Sequence, residues 1–108
     1  MDYKNINNEI KKFVTDREWE KFHSPKNISM ALSVEASELV EIFQWQSNDE
    51  YKNNAKTKNK VKDEVSDIFY YLVRMCQKMD IDLETAFYEK MKKNKLKYPI
   101  DKYKGKST

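Results

Sequence analysis

Four acidic residues stand where carboxylates are costly. Glu35 and Glu38 lie three positions apart, as do Glu64 and Asp67, so each pair shares one face of a helix. Positions 28, 31, 35, 38, 42 and 45 read Ile, Ala, Glu, Glu, Ile and Trp, one continuous seam in which two acids take apolar slots. Glu64 and Asp67 fall immediately beside the stripe Val61, Val65, Ile68, Leu72. If the two helices pack together, four carboxylates meet in a partly dry place, where like charges raise one another's pKa and desolvation adds to the cost. A divalent cation resolves that conflict. Oxygen donors alone, with neither Cys nor His beside these acids, favour Mg²⁺ or Mn²⁺ over Zn²⁺. Mg²⁺ keeps several waters and takes further ligands from a phosphate chain. The alternative, exposed acids balanced by Lys60 and Lys62 as on any charged helix, stays open at this level.

The elements that must position these acids are helical. Only 1 Gly and 2 Pro occur in 108 residues, and 36% of the chain is charged, which leaves few turn signals for a sheet and many residues suited to exposed helix faces. Ile6, Ile10, Phe13, Val14 and Arg17 form a stripe that predicts a first helix over residues 2–22. Pro25 interrupts the pattern, and Ser24 or Asn27 can cap the next helix. Ile28, Ala31, Leu32, Leu39, Ile42 and Phe43 predict that second helix over residues 27–46, with the first pair of acids at its centre. The polar stretch from Ser47 to Asn59 reads as a loop with a helical portion. A third helix over residues 58–78 places Val61, Val65, Ile68, Leu72, Met75 and Met79 towards a core, with Phe69, Val73 and Cys76 widening that face. After a corner at Asp80-Ile81-Asp82, with Asp82 as N-cap, Leu83, Ala86, Phe87 and Met91 define a fourth helix ending near Pro99.

This is a single domain over 1–108, an all-α bundle with a basic tail from about residue 100. The 7 Tyr, 5 Phe and 2 Trp within a 39% hydrophobic composition exclude a disordered chain. Four short helices bury little in isolation, which points to a homo-oligomer. The lone Cys76 can form neither an intrachain disulfide nor a thiolate cluster, and reads as a buried helix residue. No apolar run approaches the roughly 20 residues that span a bilayer, and no signal pattern opens the chain, so a cytoplasmic location is expected. The net charge is only +3. A nucleic-acid-binding module using the Lys-rich end fits poorly, because 18 acidic residues nearly cancel 21 basic ones. A non-catalytic helical oligomer with vestigial acids is the other alternative.

The stretch Glu35-Ala-Ser-Glu38-Leu-Val-Glu41-Ile-Phe-Gln-Trp45, followed by Asp63-Glu64-Val-Ser-Asp67-Ile, resembles the all-α MazG-like nucleotide pyrophosphohydrolases, and most of all their small dCTP pyrophosphatase branch. Arg17-Glu-Trp19 and Phe22-His23-Ser-Pro25-Lys-Asn27 before it, and Lys90-Met-Lys-Lys-Asn94-Lys-Leu-Lys97-Tyr98-Pro99 after it, extend the likeness over most of the chain. The ordered set of four blocks is far more specific than any block alone. Ser37 departs from the pattern, since many relatives carry Gly there; serine is small enough to keep close helix packing.

The resemblance implies that Glu35, Glu38, Glu64 and Asp67 hold Mg²⁺, and that a nucleoside triphosphate is hydrolysed between its α and β phosphates to the monophosphate and pyrophosphate. Glu38, with Glu35 as the alternative, would orient or deprotonate the attacking water, and Glu41 would be an outer ligand or a cap on the site. Lys90 and Asn94, four apart on one helix face, would meet substrate, with Lys97 and Tyr98 close behind. His23, the sole histidine, lies outside the E-x-x-H pattern of di-iron bundles; in similar proteins this position approaches the nucleotide. Trp19 and Trp45 offer flat faces for stacking on a base. The dCTP-directed branch implies a pyrimidine pocket containing at least one of them, Trp45 before Trp19, built within one chain or across a subunit interface. The implied substrate is dCTP or a modified dCTP.

Overall fold

The computed structural model of the chain describes residues 1–106, so the last two residues of the basic tail fall outside it. All regular structure among the described residues is helical. Helix α1 (Tyr3–Asp16) starts at Asp2, whose carboxylate accepts the Asn5 N–H. Helix α2 (Pro25–Phe43) is capped by the Ser24 hydroxyl, which accepts the Asn27 N–H at 3.1 Å; Pro25 occupies the first turn, where its missing N–H leaves no gap. Asn54 caps α3 (Ala55–Met79) and Asp82 caps α4 (Leu83–Lys97). Between them Asp80 adopts the left-handed conformation at φ 54°, and the Ile81 N–H returns to the Cys76 carbonyl at 2.9 Å to close α3. A one-turn α5 (Ile100–Tyr103) lies in the basic tail, an element that no periodicity announced.

Two boundaries differ from the sequence-based expectation for tertiary reasons. The first helix does not reach residue 22. It stops at Asp16, Glu18 turns left-handed at φ 55°, and a separate 3-10 turn covers Glu20–Phe22. The carboxylate of Glu20 accepts hydrogen bonds from Arg74 at 2.8 Å and Lys78 at 2.6 Å, so α3 holds this segment in place from outside. The second helix ends at Phe43 rather than residue 46, and Gln46 donates instead to Thr57 at the start of α3. Trp45 is thereby left beyond the seam, 88% exposed.

Packing is concentrated along α2 against α3, with α1 lying on α3. Ile10 and Val14 of α1, Ile28 of α2, and Val73 and Cys76 of α3 form the buried core; Cys76 takes the interior place expected of it. The third helix is apolar on more than one side. Its half-buried stripe follows Val61, Glu64, Ile68, Tyr71 and Met75, which sets Glu64 within the seam rather than beside it. Val65, Leu72 and Met79, expected in the core, are exposed, because a stripe inclined to the α2-facing one meets no neighbour within the chain. Helix α4 buries no residue. The radius of gyration is 17.2 Å, against about 13 Å for a compact chain of this length. No described helix is long and apolar enough to cross a membrane.

Ile28 is 1% exposed between the packed helices. Ile28→Ala is expected to cost about 2–5 kcal/mol in urea denaturation; a loss below about 0.5 kcal/mol would mean that this contact does not hold α2 in place.

Candidate active site

The α2–α3 seam brings the acids together. One carboxylate oxygen from each of Glu35, Glu64 and Asp67 lies within 4.8 Å of the other two. Glu38, one turn along α2 from Glu35, is near enough for its charge to raise both Glu35 and Glu64. Burial, and then the neighbouring Glu38, Glu64 and Asp67, push the Glu35 carboxyl up to about 7. Burial first, and then Glu38 and Asp67, also raise Glu64, while its contact with Glu35 acts in the opposite direction. Glu35 Oε2 and Glu64 Oε2 are buried with no hydrogen-bond partner. Buried acceptors without donors are rare in folded proteins. Two of them in a cluster of like charges are the donor set that an oxygen-ligated divalent cation fits.

The acids also stand between two cavities of opposite character. On one side, Glu35 and Asp67 line a space of about 310 Å³ with Phe13, Trp19, His23, Tyr70 and Tyr71. Its walls hold one another edge to face: Phe13 meets Trp19 at 5.6 Å between ring centroids and Tyr70 at 5.9 Å, and Tyr70 meets Tyr71 at 4.9 Å. Such T-shaped contacts fix ring orientation. On the other side, Glu38 and Glu64 line a polar space of about 440 Å³ with Glu41, Ile42, Lys60 and Asp63. A larger cavity of about 700 Å³ lies between the end of α2 and the start of α3, but none of the four acids borders it.

Of the binding residues anticipated, Trp19 and His23 line the aromatic cavity beside Glu35 and Asp67. Trp45, Lys90, Asn94, Lys97 and Tyr98 line neither cavity next to the acids; Trp45 follows the end of α2, Lys90, Asn94 and Lys97 belong to α4, and Tyr98 caps that helix. Ser37 is exposed, and its hydroxyl donates to the Ser33 carbonyl at 2.9 Å, so glycine at this position is not needed for α2 to meet α3. Sequence reasoning missed Phe13 as a cavity residue, counting it only as core, and missed Tyr70 and Tyr71 altogether. Their signal was available: they stand three and four residues after Asp67, on the face that carries the acid. Burial, and then the charges of Glu35 and Asp67, push the Tyr71 hydroxyl above its ordinary value.

Comparison with known proteins places the chain in a family. Residues 30–108 match the MazG-like family. The chain is 38% identical over 96 residues to dCTP pyrophosphatase 1 of Mus musculus, covering 86% of this chain and 56% of that protein. It is 36% identical over 90 residues to dCTP pyrophosphatase 1 of Homo sapiens, covering 81% and 53%. The chain thus spans about half the length of these curated relatives. The crystal structure of a pyrophosphatase from Archaeoglobus fulgidus superposes with a TM-score of 0.85 at 36% identity, covering 92% of this chain and 94% of the other. The chain belongs to the MazG-like family.

The raised acids tie metal loading to stability. Because the folded-state value of Glu35 lies above its ordinary 4.5, its contribution to stability is full below about pH 4.5 and is lost as pH rises through about 7. The melting temperature of metal-free protein is therefore expected to fall from about pH 5 to about pH 8. Glu35→Gln should flatten that fall and a divalent cation should reverse it, both measured by calorimetry. A metal-free melting temperature that rises over the same interval would contradict the clustering.

Proposed function

We propose that the chain is a single-domain nucleoside triphosphate pyrophosphohydrolase that uses Mg²⁺, with Mn²⁺ as a substitute, and acts on dCTP or a modified dCTP. The observation that carries this reading is the position of Glu35, Glu38, Glu64 and Asp67 between an aromatic cavity and a polar one. A nucleotide has the same division. Its base suits the flat walls formed with Trp19, Phe13 and Tyr70, and its phosphates suit a polar space beside a metal-binding cluster. The pyrophosphatase names borne by the mouse, human and archaeal proteins support the reaction class, and the first two support the cytosine base.

Glu35, Glu38, Glu64 and Asp67 would hold the metal. A bound divalent cation supplies charge neutralisation at phosphoryl oxygens and a lowered pKa for water. Glu38, with Glu35 as the alternative, orients the attacking water and accepts its proton. The water oxygen bonds to the α-phosphorus as the bond from that phosphorus to the bridging oxygen breaks, so pyrophosphate leaves and the monophosphate remains. Glu41 lines the polar space and would serve there as an outer ligand or as a cap on the site.

Trp45, Lys90, Asn94, Lys97 and Tyr98 join the site from a neighbouring copy in a homo-oligomer, a dimer or a tetramer. The support is physical: Val65, Leu72 and Met79 on α3, Phe87, Tyr88 and Leu96 on α4, and Trp45 are all exposed apolar groups in the isolated chain, more than a monomer of this size leaves unpartnered. The lysines then offer point charges to phosphate oxygens, and Trp45 offers a second stacking face.

The test is pyrophosphate release from a panel of canonical and 5-modified (deoxy)nucleoside triphosphates, with Mg²⁺ and with EDTA. Turnover concentrated on dCTP or a 5-modified dCTP, abolished by EDTA and lowered about 10²-fold or more in Glu38→Gln, is expected. No turnover of any nucleotide by folded, Mg²⁺-supplied protein would overturn the enzymatic reading. Sedimentation equilibrium should give a multiple of 13.0 kDa; a monomer at micromolar concentration would remove the shared site.

A further inference from the structure

Arg74 is a charged side chain in the core, 2% exposed on α3, and it lines neither cavity beside the acids. Such a charge is tolerated only when it is paired and hydrogen-bonded. Arg74 donates from Nε to His23 Nδ1 at 3.0 Å, from one terminal nitrogen to Gln77 Oε1 at 2.6 Å, and from the other to Glu20 Oε2 at 2.8 Å. Gln77 in turn donates to the side chain of Asn7 at 2.7 Å, and Lys78 donates to the second oxygen of Glu20. One guanidinium thus binds both ends of the 3-10 turn, Glu20 at its start and His23 at its close, while its third contact leads to α1.

The contact with His23 has a chemical consequence. A guanidinium can only donate, so the imidazole nitrogen that faces it must carry a lone pair. An imidazolium, protonated on both nitrogens, cannot accept this bond, and the neutral ring must then carry its proton on Nε2. Burial and the Arg74 charge both depress His23 below its ordinary value, against a weaker opposing effect of Glu20. His23 belongs to the aromatic cavity, and Nε2 is the nitrogen that Arg74 leaves unused.

We propose that Arg74 is a positioning residue for substrate recognition: its Nε–H fixes His23 as the neutral Nε2–H tautomer, so that the aromatic cavity offers a hydrogen-bond donor to an acceptor atom on the nucleoside half of the nucleotide. The inference rests on the pyrophosphohydrolase reading for the identity of the ligand but not for the tautomer. Arg74 touches neither substrate nor metal in this scheme; it acts through His23.

The experiment uses the untagged 108-residue chain labelled with ¹⁵N-histidine, in which His23 gives the only imidazole signals. Wild type at neutral pH should show one tautomer, protonated at Nε2, and so should Glu20→Gln, which keeps the Arg74–His23 bond. Arg74→Met should show averaging between tautomers. In pyrophosphate-release kinetics Arg74→Met should raise KM about three- to tenfold with kcat changed less than about twofold, the size expected for one ground-state hydrogen bond. The same substitution in a His23→Ala background should have no further effect on KM, whereas a role confined to fold stability would add to it. A wild-type ring protonated at Nδ1, an unchanged tautomer and KM in Arg74→Met, or a full additional loss in the double variant would each overturn the proposal. Should Arg74→Met not fold, Arg74→Leu, which likewise has no donor, is read by the same two measurements with the same criteria. Absence of any nucleotide turnover in wild type would defeat the enzymatic reading instead, and the imidazole spectrum would still decide the tautomer.

Discussion

Helix α2 can lie along α3 only if Glu35 and Glu64 occupy slots that would ordinarily hold interdigitating apolar side chains. Each leaves a buried oxygen without a donor, and with Glu38 and Asp67 alongside they raise one another. An apolar pair there would pack better and remove the repulsion. Retaining acids along the main helix contact of the structure is therefore a cost that a bound cation can offset. The caps at Ser24 and Asn54 fix where α2 and α3 begin, and so fix which turns of each helix meet.

The surroundings divide along the same line. Aromatic rings gather on the Glu35 and Asp67 side, and further acids with Lys60 gather on the Glu38 and Glu64 side. The division follows from helical geometry. Glu35 and Glu38 are a turn apart, as are Glu64 and Asp67, so the members of each pair reach different ends of the cluster. The aromatic end needs α1 and the 3-10 turn to close it, and Arg74 with Lys78 holds that turn against α3. The same helix thus supplies acids at its middle and the clamp for the cavity wall about two to three turns later.

The small core has a counterpart in the exposed apolar surface. Five buried apolar side chains, Ile10, Val14, Ile28, Val73 and Cys76, hold the helices together, while α4 contributes none. A chain whose longest helix is apolar on more than one side has more faces to cover than three neighbouring helices can provide. The residues that line no cavity beside the acids, Trp45 and the α4 group Lys90, Asn94 and Lys97, lie among these uncovered elements, which is why the proposed site draws on a second copy.

The sequence by itself determined the all-helical class, the approximate extent of the second, third and fourth helices, the cap at Asp82, and the sharing of one helix face by Glu35 with Glu38 and of another by Glu64 with Asp67. Each of these depends on local spacing, which a helix converts directly into a shared face. Only the tertiary structure decided that the first helix breaks at Asp16, since the cause is an ion pair between Glu20 and residues more than 50 positions away. It also decided that Val65, Leu72 and Met79 face outward, because periodicity reports that a face is apolar without saying what covers it. The aromatic cavity was hidden for a related reason: Phe13, Trp19, His23, Tyr70 and Tyr71 come from three separate segments. A single helical period contains no information about which face of one helix will be brought against another.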